Sequence, residues 1–149
     1  MSDLRELYQS TILDHYKKPR NFGSLPGASA HAEGHNPLCG DRVTLHVLLD
    51  GDVVRDVRFE GSGCAISTAS ASMMTEVVKG KSRADAERLF ERFRDLIAGP
   101  ADALPGPEEI GKLAVFSGVR DYPTRIKCAT LVWHALHSAL GDAQTVSTE

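Results

Sequence analysis

Two alternating runs with a short polar break between them restrict this chain more than any other feature. From Arg42 to Leu49 the apolar residues Val43, Leu45, Val47 and Leu49 occupy every second position. From Val53 to Glu60, Val53, Val57 and Phe59 alternate with Asp56, Arg58 and Glu60. A period of two belongs to half-buried strands, and Asp50-Gly51-Asp52 reads as the hairpin loop between them. A two-residue loop would set Leu45 against Arg58. A three-residue loop sets Val43 against Phe59, Leu45 against Val57 and Leu49 against Val53, which keeps one apolar face and is preferred. Arg55 opposite Val47 is the one misfit. Extended past its open end, this register puts residue 39 opposite residue 63, so that Cys39 and Cys64 lie beside each other on strands about 5 Å apart.

Helical patterns surround the hairpin. Ser2 or Asp3 can cap a helix to about Lys18, with Leu4, Leu7, Tyr8, Thr11, Ile12 and His15 in one stripe. Pro19 ends it. Residues 19–41 are rich in turn formers, with Ala28 to Ala32 a candidate edge strand. Ala65 to Val78 reads as a helix of small residues packed closely on the sheet, with Cys64 in its first turn. Ser82 can cap a helix over 83–98, with Leu89, Phe90, Phe93, Leu96 and Ile97 inward. A short helix is expected over 108–116. A final helix is expected from a Thr124 cap to Leu140, with Ile126, Leu131, Val132, Leu136 and Leu140 inward and Cys128 near its start. The tail to Glu149 is expected to fray. There is no internal repeat and no linker long enough to separate domains, so residues 1–149 read as one domain.

Composition narrows the function. Of the 149 residues, 42% are apolar and 25% charged, a globular balance, and no apolar run nears the roughly 20 residues of a membrane span. The net charge of −3, without a basic block, argues against nucleic acid as a partner. The first residues lack a signal-peptide core, which makes the cytoplasm the expected compartment. There the three cysteines are expected as thiols, available as ligands or nucleophiles.

The cysteines stand at loop-to-element junctions. Asn36-Pro37-Leu38-Cys39-Gly40-Asp41 places a thiol and a carboxylate two residues apart ahead of the first strand. If Cys64 and Cys128 join them, three thiolates and a carboxylate supply four ligands, enough for tetrahedral zinc or one edge of an iron–sulfur cluster. The carboxylate is the most exchangeable of the four, as expected of a site that opens. The plainer reading is that the cysteines are small buried hydrophobes and Asp41 a turn former. His31, His35 and His46 are possible ligands but read as surface or structural, as do His134 and His137. Arg125 and Lys127 near Cys128 read either as a solvated helix start or as charges that activate the thiol or steer an anionic group.

Three segments carry a resemblance: residues 36–41, Gly61-Ser62-Gly63-Cys64-Ala65-Ile66-Ser67, and Lys127-Cys128-Ala129-Thr130-Leu131-Val132-Trp133. Over nearly the whole chain the sequence resembles the U-type iron–sulfur cluster assembly proteins, the IscU/SufU/NifU-N family. The resemblance implies a single-domain α+β fold, a three-stranded antiparallel sheet packed with helices, with Cys39, Asp41, Cys64 and Cys128 as metal or cluster ligands. It also implies a cysteine desulfurase partner, a pyridoxal-phosphate enzyme that delivers sulfur as a persulfide. Lys127 stands where the IscU branch carries a histidine. Asp121-Tyr122-Pro123-Thr124-Arg125 replaces that branch's Leu-Pro-Pro-Val-Lys chaperone motif. Residues near 80–100 look like a helical insertion. All three features resemble the SufU branch, whose pattern is a zinc-binding sulfur acceptor. The expectation is a sulfurtransferase-like protein that holds Zn2+, accepts sulfur on Cys39 with help from Arg125, and passes it to a downstream scaffold or apo acceptor. A scaffold for a [2Fe–2S] cluster on the same cysteines is the alternative. A zinc-stabilised adaptor without chemistry is a third reading from another class.

Overall fold

A computed structural model describes residues 2–37, 40–100, 102, 104–141 and 145–147, with side chains at all of these except 2–8, 107 and 145–147. The elements run α1 (Ser2–Lys17), β1 (Ala30–Asn36), β2 (Asp41–Asp50), β3 (Val53–Ser62), α2 (Ala65–Val78), α3 (Arg83–Ala98), α4 (Pro107–Ile110), a 3-10 segment (Gly111–Asp121), α5 (Pro123–Leu140) and β4 (Thr145–Ser147). The sheet order is β3-β2-β1-β4. Three antiparallel strands carry helices on one face, which is the α+β architecture expected, and β4 adds a short parallel strand along β1. The tail read as fraying therefore pairs at 145–147 against Glu33–His35, closing part of an edge that would otherwise present unpaired backbone groups. β1 begins two residues later than Ala28 and runs on to Asn36, because His35 and Asn36 pair with Arg42 and Asp41.

The hairpin register differs from the expected one, and the reason is a bulge. Gly51 and Asp52 form a two-residue turn, with Asp50 opposite Val53 and Leu49 opposite Val54. Two-residue turns match the twist of the strands they join. Alone this turn would set Leu45 against Arg58. The register instead shifts between Leu48 and Leu49, so that Leu48 faces Asp56, Val47 faces Val57 and Leu45 faces Phe59. Arg55 is the extra residue, which resolves the misfit noted in the sequence. One apolar face survives, but its members change near the turn. Val54 is 0% exposed and Val53 41%, the reverse of the simple alternation.

The core lies between this face and the helices. Val43, Leu45, Val47, Val57 and Phe59 meet Met73, Met74, Leu131, Val132, Trp133 and Leu136. α1 half-buries Ile12 and buries His15, whereas Leu4, Leu7 and Tyr8 fall outside the described side chains. α3 starts as expected, with the Asp85 N–H donating to the Ser82 hydroxyl at 3.1 Å, and buries Phe90, Phe93, Leu96 and Ile97. The helix expected over 108–116 is instead the short α4 followed by the 3-10 segment. The positive φ of 56° at Gly111 stops the α-helix there. Thr124 is not the cap of α5. The capping position is Tyr122, which makes no side-chain cap, and Pro123 opens the helix, where its missing N–H costs nothing.

Candidate metal centre

Three elements end at one place. Asp41 is the first residue of β2, 0% exposed and paired across the β1–β2 ladder with Asn36. Cys64 follows β3 and is the N-cap of α2. Cys128 sits in the second turn of α5 and is 1% exposed. One donor atom from each of Asp41, Cys64 and Cys128 lies within 4.8 Å of the other two. The Cys64 N–H donates to Asp41 Oδ1 at 2.9 Å, and the Cys64 thiol points at Oδ2 at 3.7 Å. The Ser67 N–H donates to Cys64 Sγ at 3.4 Å, so the first turn of α2 is aimed at the sulfur. Neither Cys64 nor Cys128 forms a disulfide.

Neighbouring groups fix these positions. A Cβ added to Gly63 would lie 2.6 Å from Asp41 Oδ1, so only glycine leaves room for the carboxylate. The Ser70 hydroxyl, buried on α2, donates to the Ala129 carbonyl of α5 at 2.6 Å and accepts from the Trp133 indole N–H at 3.2 Å. This bridge ties the helix that begins at Cys64 to the residue after Cys128. The donor set fits a thiophilic, borderline-soft ion: two thiols and one buried carboxylate are at hand, and thiolates favour zinc, copper(I) and iron–sulfur centres over magnesium or calcium. Cys39 lies outside the described residues, and so does its expected position beside Cys64.

Comparison with known proteins identifies the family. The profile of the NifU-like N terminal domain family matches residues 7–129. The chain belongs to that family. A NifU-like relative from Bacillus subtilis (strain 168), "Zinc-dependent sulfurtransferase SufU", is 45% identical over 141 residues, covering 93% of this chain and 92% of its own. Another, from Streptococcus pyogenes serotype M1, "Iron-sulfur cluster assembly scaffold protein IscU", is 42% identical over 140 residues, covering 94% of this chain and 86% of its own. Among solved structures, a putative scaffold for the SUF system from Fervidobacterium islandicum AW-1 superposes with a TM-score of 0.82 at 38% identity, covering 87% of this chain and 93% of its own. A NifU-like N-terminal structure from Brucella abortus gives 0.76 at 26%, covering 90% of this chain and 92% of its own.

The other predicted residues of this NifU-like domain fall elsewhere. Among the described residues no histidine belongs to the Asp41–Cys64–Cys128 group. His31 and His46 meet each other on the far face of the sheet, and His137 bonds Glu87 at 2.6 Å. His134 is half-buried, and its pKa is lowered by burial first and by the nearby Arg94 and His137 second. Arg125 is exposed in the first turn of α5, three residues before Cys128. Sequence reading named Gly63 and Ser67 only as members of a segment, with no role of their own, and missed Ser70. Ser67 and Ser70 stand one helical turn apart in a run of small residues, a spacing that signals a polar stripe on the packed face of α2.

Proposed function

We propose that this chain is a zinc-holding sulfur acceptor of iron–sulfur cluster assembly, working with a cysteine desulfurase in the cytoplasm. The observation that carries the reading is the convergence of Asp41, Cys64 and Cys128 within 4.8 Å from three distant segments. Cys39, two residues from Asp41 in sequence, is within about 7 Å of it by chain length alone and supplies the fourth donor. Zinc bound there would keep its sulfurs deprotonated and close together.

The chain's own residues then do the following. The Cys39 thiolate attacks the outer sulfur of the desulfurase persulfide. A new S–S bond forms on Cys39, the S–S bond on the desulfurase breaks, and the desulfurase cysteine leaves as thiolate. Asp41 is the ligand best suited to give way, because the Cys64 N–H already accommodates its carboxylate. Arg125, exposed near the start of α5, would steer the anionic persulfide. α3 reads as the helix by which this chain exceeds the IscU branch. That helix, Lys127 and the 121–125 segment favour the SufU-like reading. A downstream scaffold or apo protein receives the sulfur.

The test is desulfurase turnover, read as alanine formation, with and without the zinc-loaded protein. Strong stimulation that vanishes in Cys39→Ser, with a persulfide found on Cys39 by mass spectrometry, is the expected result. A persulfide on Cys128 and never on Cys39 would sink the assignment. The S. pyogenes relative's name, a cluster scaffold, favours one second reading. Under it, anaerobic reconstitution yields a [2Fe–2S] cluster that moves to an apo-ferredoxin.

A further inference from the structure

The face of the sheet turned away from the helices carries a second group of donors. His31 of β1 and His46 of β2 stand directly opposite each other in the ladder. Their rings are nearly perpendicular, at 87°, and Nδ1 of one lies 2.9 Å from Nδ1 of the other. On its other side His46 meets Glu60 of β3, with Nε2 2.8 Å from Oε1. A carboxylate can only accept, so Nε2 of His46 carries the proton of that bond, and in the neutral form of the ring Nδ1 presents a lone pair towards His31. A carboxylate that fixes one nitrogen of an imidazole and frees the other is the usual support for a metal-binding histidine. The nearby Arg58 guanidinium is turned aside, to the Ser24 carbonyl at 3.2 Å and to Asp56 at 3.9 Å.

The 2.9 Å separation is that of a hydrogen bond between the two rings, and an ion entering the pair would take the place of its proton. Imidazole nitrogens suit divalent transition ions, and affinity rises along that row to nickel and copper. We propose that His31 and His46 chelate a nitrogen-preferring divalent transition ion of the nickel or copper class, with Glu60 as the positioning residue for His46. The site is separate from the thiol centre. Asp41 lies five residues back along β2, about 16 Å away, and on the opposite face of the sheet. It does not depend on the proposed sulfur-acceptor role.

The experiment is titration of the zinc-loaded full chain with Ni2+, followed by calorimetry and absorbance. One equivalent should bind without releasing zinc and without a thiolate charge-transfer band. His31→Gln, on the surface and outside the core, should weaken Ni2+ binding at least about tenfold, and Glu60→Gln should weaken it severalfold. His137→Gln, an exposed histidine on α5, should change nothing. The proposal is overturned if Ni2+ shows no saturable binding, so that the pair is a hydrogen bond only. It is equally overturned if binding is the same in His31→Gln, or if nickel displaces zinc from the thiols.

Discussion

At the scale of single residues, two positions act through room and charge rather than through contact area. Gly63 has no side chain where one would collide with Asp41 Oδ1 at 2.6 Å. Gly63→Ala must therefore push the carboxylate off the Cys64 N–H. Zinc affinity should fall by about tenfold or more in chelator competition, and the metal-free chain should lose about 1–3 kcal/mol for the broken bond. An unchanged affinity would mean that Asp41 is not a ligand. His15 acts through its proton. It is buried beneath α1, with Nδ1 2.7 Å from the Ser72 hydroxyl and Nε2 3.7 Å from Glu76. Burial lowers its pKa, Arg20 and Lys112 add to that, and Glu76 and Asp14 oppose it. Because the folded state holds the neutral ring, the unfolded chain takes up the proton first as pH falls. Stability is then full above the ordinary histidine value of about 6.5 and declines below it, at no more than about 1.4 kcal/mol per pH unit for this proton. Urea midpoints from pH 7.5 to 5.5 should show the decline, and His15→Gln should flatten it.

At the scale of elements, the hairpin shows what alternation can and cannot encode. Val43, Leu45, Val47, Val57 and Phe59 were legible as one buried face because a period of two is visible in the residues themselves. The register was not, because a turn length and a bulge can offset each other and leave the same face apolar. Arg55 carried the only trace, as a charge in an apolar row. If Arg55 is the bulged residue, deleting it should preserve the Leu45–Phe59 pairing. The deletion should cost far less stability than deletion of Val57, whose loss inverts the strand beyond it. Thermal melts of both deletion variants decide the point. The α2–α5 junction was still less legible. The cysteines could be read at element boundaries, but a buried serine shared by a carbonyl and an indole follows only from how two helices cross. Ser70→Ala strands the Trp133 N–H and should cost about 1–3 kcal/mol in denaturant unfolding. A smaller loss would mean that the bridge is incidental.

At the scale of the whole molecule, the order of elements explains why motifs carried so much. β2, the end of β3 and the start of α5 each present one donor at a junction, and junction residues are the ones a sequence marks most plainly, with Gly, Pro and Asp. What joins the junctions is the core between them, whose pairings are non-local and unmarked. A metal held by all three segments should brace that core. Chelation should lower the melting temperature of the wild type by several degrees and leave a Cys64→Ser, Cys128→Ser variant unmoved. Equal melting of loaded and stripped protein would show that the core needs no such brace. Cys128 lies on the last helix, behind every other donor in the order of synthesis. A chain still emerging from the ribosome, with α5 not yet made, cannot bring the three donors together. If Asp41, Cys64 and Cys128 hold an ion, its capture would certify that α5 has been made and has docked. A copy cut short before α5 would then be unable to hold it.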